Sequence, residues 1–308
     1  MTDAQRERMK EALEAAAGKD SVLMDEPMKG HTTFRIGGPA DFFVQPQSAE
    51  TVRRTLKLCA EESIPSFVMG NGSNLLVADE GFRGVIVCIG KRMSRILPEG
   101  TQIRAQAGAK LSAIASAAQE ASLTGFEFAG GIPGTLGGAC VMNAGAYDGE
   151  MKQVLRSVTC LTEDGEIRVI PAEELELGYR TSIFMRKPMV ALEAEIVLAE
   201  GDRAEIDALT AELREKRQSK QPLDLPSAGS TFKRPKDHFA GKLIMDAGLR
   251  GYRVGGAQVS EKHCGFVVNT GGATASDVRT LIGDVQKCVK ERFGVTLQPE
   301  IRFIGFPL

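Results

Sequence analysis

Residues 130–149 read Gly-Gly-Ile-Pro-Gly-Thr-Leu-Gly-Gly-Ala-Cys-Val-Met-Asn-Ala-Gly-Ala-Tyr-Asp-Gly, with seven glycines, no Lys or Arg, and one charged side chain. Glycine weakens helices and strands alike, so this density suits neither. It predicts backbone that turns tightly and approaches a neighbour closely. Taken alone, the segment is either a wall of a cofactor site or a structural loop whose glycines serve the chain itself.

Around it the chain is ordinary. Its 308 residues suffice for two or three domains and a large core. Hydrophobic residues at 43% and charged residues at 25% are globular values. A formal net charge of -2 gives none of the basic excess that nucleic-acid or membrane binding calls for, so an anionic ligand must be held by local groups. Cys59, Cys88, Cys140, Cys160, Cys264 and Cys288 are scattered, with no Cys-x-x-Cys pair and no Cys/His metal spacing. That predicts buried, reduced thiols and no metal site. The N-terminus leads into polar helical sequence with no apolar h-region, and no apolar run approaches membrane-spanning length. The expectation is a cytoplasmic protein, with no sign of an obligate protein partner.

Periodicity and punctuation predict a short amphipathic helix over 4–17, a loop entering a strand over 31–46, and a helix over 48–62. The strand 66–69 runs into Gly70-Asn71-Gly72-Ser73-Asn74 and completes a small α/β start. Further strands are expected near 84–89, 101–106, 154–161, 166–170 and 189–198, with an Ala/Ser-rich helix over 110–122. A charged helix over 203–220 ends at Lys220-Gln221-Pro222, which reads as a domain boundary. Beyond it come a helix over 239–247, strands near 257–259 and 265–269, a helix over 275–293 and a closing strand over 300–304, together a compact α+β unit.

Four further segments could carry chemistry. The loop 70–74 can cradle a phosphate with consecutive N–H groups and a Ser hydroxyl, or it is a plain Asn-Gly turn. It is no Rossmann fingerprint, because Leu75 stands where the third glycine belongs and no helix can begin there. Paired with the glycine-rich stretch, it suggests one extended, anionic, aromatic cofactor. Gly178-Tyr179-Arg180-Thr181-Ser182-Ile183-Phe184 offers a planar guanidinium to a carboxylate, or holds an ordinary surface Arg. Ala228-Gly229-Ser230-Thr231-Phe232-Lys233-Arg234-Pro235 reads as a loop, and Phe232 rules out a hydrolase elbow. Ser230 alone would be a turn or capping serine. Glu300, at the head of the last apolar strand, is either a salt-bridge partner or an acid held for proton transfer. His31, His238 and His263 read as surface or binding residues.

These segments, in this order and spacing, resemble the UDP-N-acetylenolpyruvoylglucosamine reductases, flavoenzymes that complete UDP-N-acetylmuramate in bacterial peptidoglycan synthesis. The resemblance spans Thr32 to Gly305. It is carried by Thr33-Phe34-Arg35-Ile36-Gly37-Gly38-Pro39-Ala40, Gly70-Asn71-Gly72-Ser73-Asn74, Gly131-Ile132-Pro133-Gly134, Asn143-Ala144-Gly145-Ala146-Tyr147, Gly178 to Phe184, Gly229-Ser230-Thr231-Phe232-Lys233 and Pro299-Glu300-Ile301-Arg302-Phe303-Ile304-Gly305. Phe184-Met185-Arg186-Lys187-Pro188-Met189 runs almost directly into the next strand. That is similar to the shorter, type II form, which lacks an inserted segment and the substrate-binding tyrosine on it.

The resemblance implies an α+β protein: a two-lobed FAD-binding region of the PCMH/vanillyl-alcohol-oxidase-like type, in 1–84 and 85–202, and a C-terminal substrate-binding domain in 203–308. It implies NADPH as hydride donor, FAD as carrier, and a UDP-sugar enolpyruvyl ether reduced at C3. The loop 70–74 holds neither His nor Cys, so FAD is expected to be non-covalent. By the same resemblance Arg180 and Glu300 stabilise the enolate, and Ser230 gives the proton to C2. Gly70, Asn71, Gly72, Ser73, Asn74, Leu75, Gly130, Gly131, Ile132, Pro133, Gly134, Gly137, Gly138, Asn143, Gly145, Ala146 and Arg302 are the expected cofactor contacts. Tyr179, Lys220, Arg234 and His263 are the expected substrate contacts, although Arg234 stands where some relatives have Asn.

Overall fold

Helices form in this chain where apolar residues recur at helical spacing, or where packing replaces weak propensity. The computed structural model describes residues 1–307. Its helices are α1 (Asp3–Ala17), α2 (Ala49–Glu61), α3 (Leu111–Glu120), α4 (Leu136–Met142), α5 (Arg203–Lys220), α6 (Ala240–Asp246) and α7 (Ala275–Phe293). In α7, Val278, Leu281, Ile282, Val285 and Val289 make one buried stripe. A Thr274/Asp277 capping box starts that helix and Gly294, in the left-handed region, stops it. Asp79, distant in sequence, completes the start by accepting from Ala275 N at 2.7 Å and Ser276 N at 2.9 Å.

The chain divides into two compact units that interleave in sequence, rather than into three consecutive segments. One comprises 1–24, 42–71 and 84–217, the other 25–41, 72–83 and 218–308. The change from one unit to the other at 217/218 lies within α5, whose residues 203–217 belong with the first unit.

In the first unit an antiparallel five-stranded sheet runs in the order Ile167–Pro171, Leu155–Leu161, Val190–Val197, Gln102–Gln106, Ile96–Glu99. Leu111 and Ile114 of α3 and Leu136 and Cys140 of α4 pack with its Val158 and Ile196 into one core. A second core joins Met9 and Leu13 of α1, Cys59 of α2, and Val85 and Val87 of the strand Phe82–Cys88. That strand pairs in parallel with Ser66–Met69.

The helix α4 lies inside the glycine-rich stretch, where the glycine count favours no helix. Long-range bonds hold it: Leu136 N donates to Ala109 O at 2.9 Å and Gly137 N to Ala107 O at 2.8 Å, while Leu136 and Cys140 are buried. Tertiary contacts supply what intrinsic propensity lacks.

In the second unit an antiparallel sheet orders Ser227–Ser230, Phe266–Asn269, Ala257–Val259 and Arg253–Val254. Ser230 therefore ends a strand instead of sitting in a loop, as the Gly-Ser dipeptide suggests from sequence. Leu76 from the short strand Leu75–Val77 joins Phe34, Ile244, Val267 and the α7 stripe in this unit's core. Leu75–Val77 pairs in parallel with Arg302–Ile304. All six cysteines are free thiols, and Cys59, Cys140, Cys160 and Cys264 are buried. Burial pushes the thiols of Cys59 and Cys140 up to about 12.

Candidate active site

Asn71 and Pro133, expected on the two glycine-bearing walls of one site, are in contact. The Asn71 side chain donates to the Pro133 carbonyl at 2.6 Å. A Cβ at Gly70 would stand 2.0 Å from Thr135 Oγ1. The end of the strand 66–69 and the turn entering α4 thus form one surface of the first unit, shaped by glycine at position 70.

On that surface Thr135 is buried, and its hydroxyl has no hydrogen-bond partner in the protein. As the N-cap of α4 it could close its own helix start, yet it makes no capping bond. An orphaned buried hydroxyl beside a glycine cradle and a helix start fits a ligand acceptor, and the donor set there suits the phosphates or ring of a nucleotide cofactor.

Other glycines of the stretch serve the chain itself. A Cβ at Gly149 would lie 2.5 Å from the Phe128 ring, and at Gly137 2.9 Å from Ala107 Cβ. The structural reading of the segment therefore applies at these two positions. Asn143 also has an internal role: fully buried and in the left-handed region, it donates to Gly178 O at 3.0 Å and Glu150 Oε2 at 3.1 Å and accepts from Lys152 N at 2.9 Å. Its amide fastens the 178–181 turn to the glycine-rich segment.

Arg180 sits on that turn with φ 53°, an uncommon conformation for a residue with a side chain. Its Nη2 donates to Gly145 O at 3.1 Å, and its guanidinium lies 5.3 Å from the centroid of the exposed Tyr179 ring. Gly145 and Ala146 pair with Gly149 and Glu150 in a small hairpin whose turn is Tyr147-Asp148.

Arg217 was not singled out by sequence. Its Cδ would be 2.9 Å from a Cβ at Gly131, so it lies against the glycine wall. Burial lowers its pKa, although the guanidinium stays charged, and no carboxylate or carbonyl of the described residues pairs with it. One sequence signal could have found it: Arg217 precedes Lys220 by three, on the same face of the last turn of α5.

In the second unit the backbone of Glu300 pairs with that of Thr231, the residue after Ser230. Glu300 N donates to Thr231 O at 2.8 Å, Phe232 and Pro299 form an antiparallel bridge, and Lys233 N donates to Gln298 O at 2.9 Å. Thr231 is itself fixed: its N donates to Gly265 O at 2.8 Å, and its Oγ1 accepts from Val267 N at 3.0 Å. Ser230 is exposed and Glu300 half-buried. The Asn74 amide donates to the main-chain carbonyl of Glu300 at 3.1 Å.

The expected substrate contacts of this unit are spread along it. Lys220 is exposed at the end of α5. Next to it, Gln221 Oε1 is buried without a partner. The Arg234 guanidinium stacks 4.0 Å from the centroid of the exposed Phe239 ring. His263 packs edge-on against Phe266, and its Nδ1 accepts from Gly265 N at 3.1 Å. Burial lowers its pKa below the ordinary 6.5.

Residues 40–170 match the FAD binding domain family, and residues 221–304 match the C-terminal domain of UDP-N-acetylenolpyruvoylglucosamine reductase. A protein of that name from Agathobacter rectalis is 55% identical, covering 92% of this chain and 94% of its own. One from Alkaliphilus oremlandii is 52% identical, covering 96% and 97%. A solved UDP-N-acetylenolpyruvylglucosamine reductase from Thermus caldophilus superposes with TM-score 0.78 at 33% identity, over 92% of this chain and 98% of that one. Substrate-bound p-cresol methylhydroxylase, at 16% identity and TM-score 0.51 over 96% of this chain and 68% of that one, shares the fold.

Proposed function

The chain belongs to the UDP-N-acetylenolpyruvoylglucosamine reductase family, and on that premise we propose how its own residues carry the reaction. The enzyme reduces UDP-N-acetylglucosamine enolpyruvate to UDP-N-acetylmuramate in peptidoglycan synthesis, with NADPH as co-substrate. FAD, when bound, would supply the hydride-carrying chemistry between NADPH and C3 of the enolpyruvyl ether. The remaining roles belong to side chains.

The backbone around Gly70–Ser73 and Gly130–Gly138, with the Thr135 hydroxyl, would hold FAD. Arg302 and the strand residue Leu75 flank that loop. Arg217 would take an anionic group of a nucleotide ligand, since an unpaired guanidinium against a glycine wall is preorganised for phosphate.

Reduction at C3 drives negative charge into the substrate carboxylate. Arg180 would meet that charge as a permanent cation whose position is set before the reaction, so no reorganisation is needed at the moment of charge development. Glu300 would act at the same carboxylate. Ser230 would give its proton to C2, because an alcohol surrenders a proton only to something as basic as an enolate carbon. The observation that carries this assignment is the Glu300 N–H bond to the Thr231 carbonyl, which places acid and hydroxyl on neighbouring backbone. Lys220, Gln221, Arg234, Tyr179 and the Nε2 of His263 are the proposed contacts to the UDP-sugar. The segment 203–308 would supply most of them and act as the substrate domain, and the cytoplasm, where the nucleotide sugar is made, would be its place of work.

The test is a visible spectrum of the purified protein. NADPH should bleach the flavin bands, and UDP-N-acetylglucosamine enolpyruvate should restore them while UDP-N-acetylglucosamine does not. Restoration by both nucleotide sugars would overturn the substrate assignment.

A further inference from the structure

We propose that Asn74 is a positioning residue for Glu300, tying the orientation of the acid to the end of the 70–74 loop. The inference rests on the reading that Glu300 serves the reaction. The backbone of 300–302 is held at three points. Glu300 N donates to Thr231 O at 2.8 Å, Arg302 N donates to Asn74 O at 2.9 Å, and the Asn74 side chain donates to Glu300 O at 3.1 Å. The first two are main-chain bonds that many sequences can make. The third depends on the side chain at 74, which grips the Glu300 carbonyl while its own carbonyl grips residue 302.

These bonds lie where strand pairing begins, with Arg302 in parallel register with Leu75. Upstream of residue 302 the chain turns across from the Thr231 strand to the Leu75 strand, and Glu300 sits at that crossing. The Asn74 amide bonds to the carbonyl of the 300–301 peptide group and so fixes ψ of Glu300, the backbone setting from which its side chain departs. Losing the bond would leave the carboxyl present but misaimed, and misplacement on the order of 1 Å can cost about 100-fold in rate. Asparagine suits the position because its amide donates to a carbonyl. An ionised aspartate of the same size would only repel it.

The experiment measures the two half-reactions of the FAD-loaded enzyme by stopped flow for Asn74→Ala, Asn74→Asp, Glu300→Gln and the Asn74→Ala/Glu300→Gln pair. With FAD added to saturation, both Asn74 variants are expected to lose more in reoxidation than in bleaching by NADPH, since Glu300 has no part in the NADPH step whereas any cofactor contact of the 70–74 loop bears on both. Reoxidation by UDP-N-acetylglucosamine enolpyruvate should slow by roughly 10- to 100-fold. In the Glu300→Gln background, Asn74→Ala should add less than about two-fold, because its effect runs through the carboxyl already removed. An additive loss in the double variant would overturn the proposal, and so would equal slowing of both half-reactions. If Glu300→Gln reoxidises at the parent rate, the functional reading of Glu300 fails, which is a different result from additivity.

Discussion

Replacing Thr135 with Val should move two measurements in opposite directions. The hydroxyl is buried and has no protein partner, and Val keeps the branched shape while removing the polar atom. Leaving a hydroxyl unsatisfied costs about 1–3 kcal/mol, so FAD-free Thr135→Val should be more stable than the parent by up to that amount. If the hydroxyl finds its partner on FAD, the variant loses that bond. A bond to a phosphate oxygen contributes about 1.5–3 kcal/mol, equivalent to roughly a 10- to 100-fold weaker Kd. Urea unfolding of FAD-free protein gives the first number, and FAD fluorescence quenching in the same buffer gives the second. The reasoning fails if the FAD-free variant is less stable than the parent while its FAD affinity is unchanged, since that pair of results describes a hydroxyl satisfied within the protein.

Gly72 has φ 63°, and a Cβ there would lie 2.1 Å from His31 O, so Gly72→Ala should combine left-handed strain with a backbone clash. A loss of about 2–5 kcal/mol in urea unfolding is expected, and a change under about 0.5 kcal/mol would refute the cause. Arg217→Met removes an unpaired, half-buried cation, so the FAD-free protein should unfold at higher urea while affinity for FAD or for UDP falls; unaltered affinity for both would end the anion-binding role. His263 is held neutral, because burial disfavours its cation and Nδ1 accepts a backbone N–H. Its folded pKa lies below the unfolded value of about 6.5, so its contribution is complete above that pH and is lost as pH falls through the folded value. His263→Gln should lose less stability than the parent between pH 7 and pH 5, and parallel losses would contradict this.

Most of the regular structure was legible because local patterns and tertiary demands agreed. The α7 stripe and its cap residues appear in sequence as a helix over 275–293, and α7 spans Ala275–Phe293. Patterning failed where distant chain decides the outcome. The two glycines at 137 and 138 argue against a helix, yet bonds from residues 107 and 109 hold α4 there. Ser230 follows a glycine and reads as a turn, but pairing with Phe266 makes it a strand end. No local signal marks Asp79 as the cap of α7, because the two are joined only in the folded unit. The site residues stood out as unusual types in unusual surroundings, and their roles came from family resemblance. Arg217 escaped notice because its distinguishing property, a half-buried charge set against the glycine wall, exists only after folding.

The assignment of Ser230 as proton donor is tested most directly by following flavin absorbance in Ser230→Ala. The variant should purify yellow, bleach with NADPH at the parent rate, and stay bleached when UDP-N-acetylglucosamine enolpyruvate is added under anaerobic conditions. Full recovery of the flavin bands at the parent rate would show that the proton at C2 comes from elsewhere.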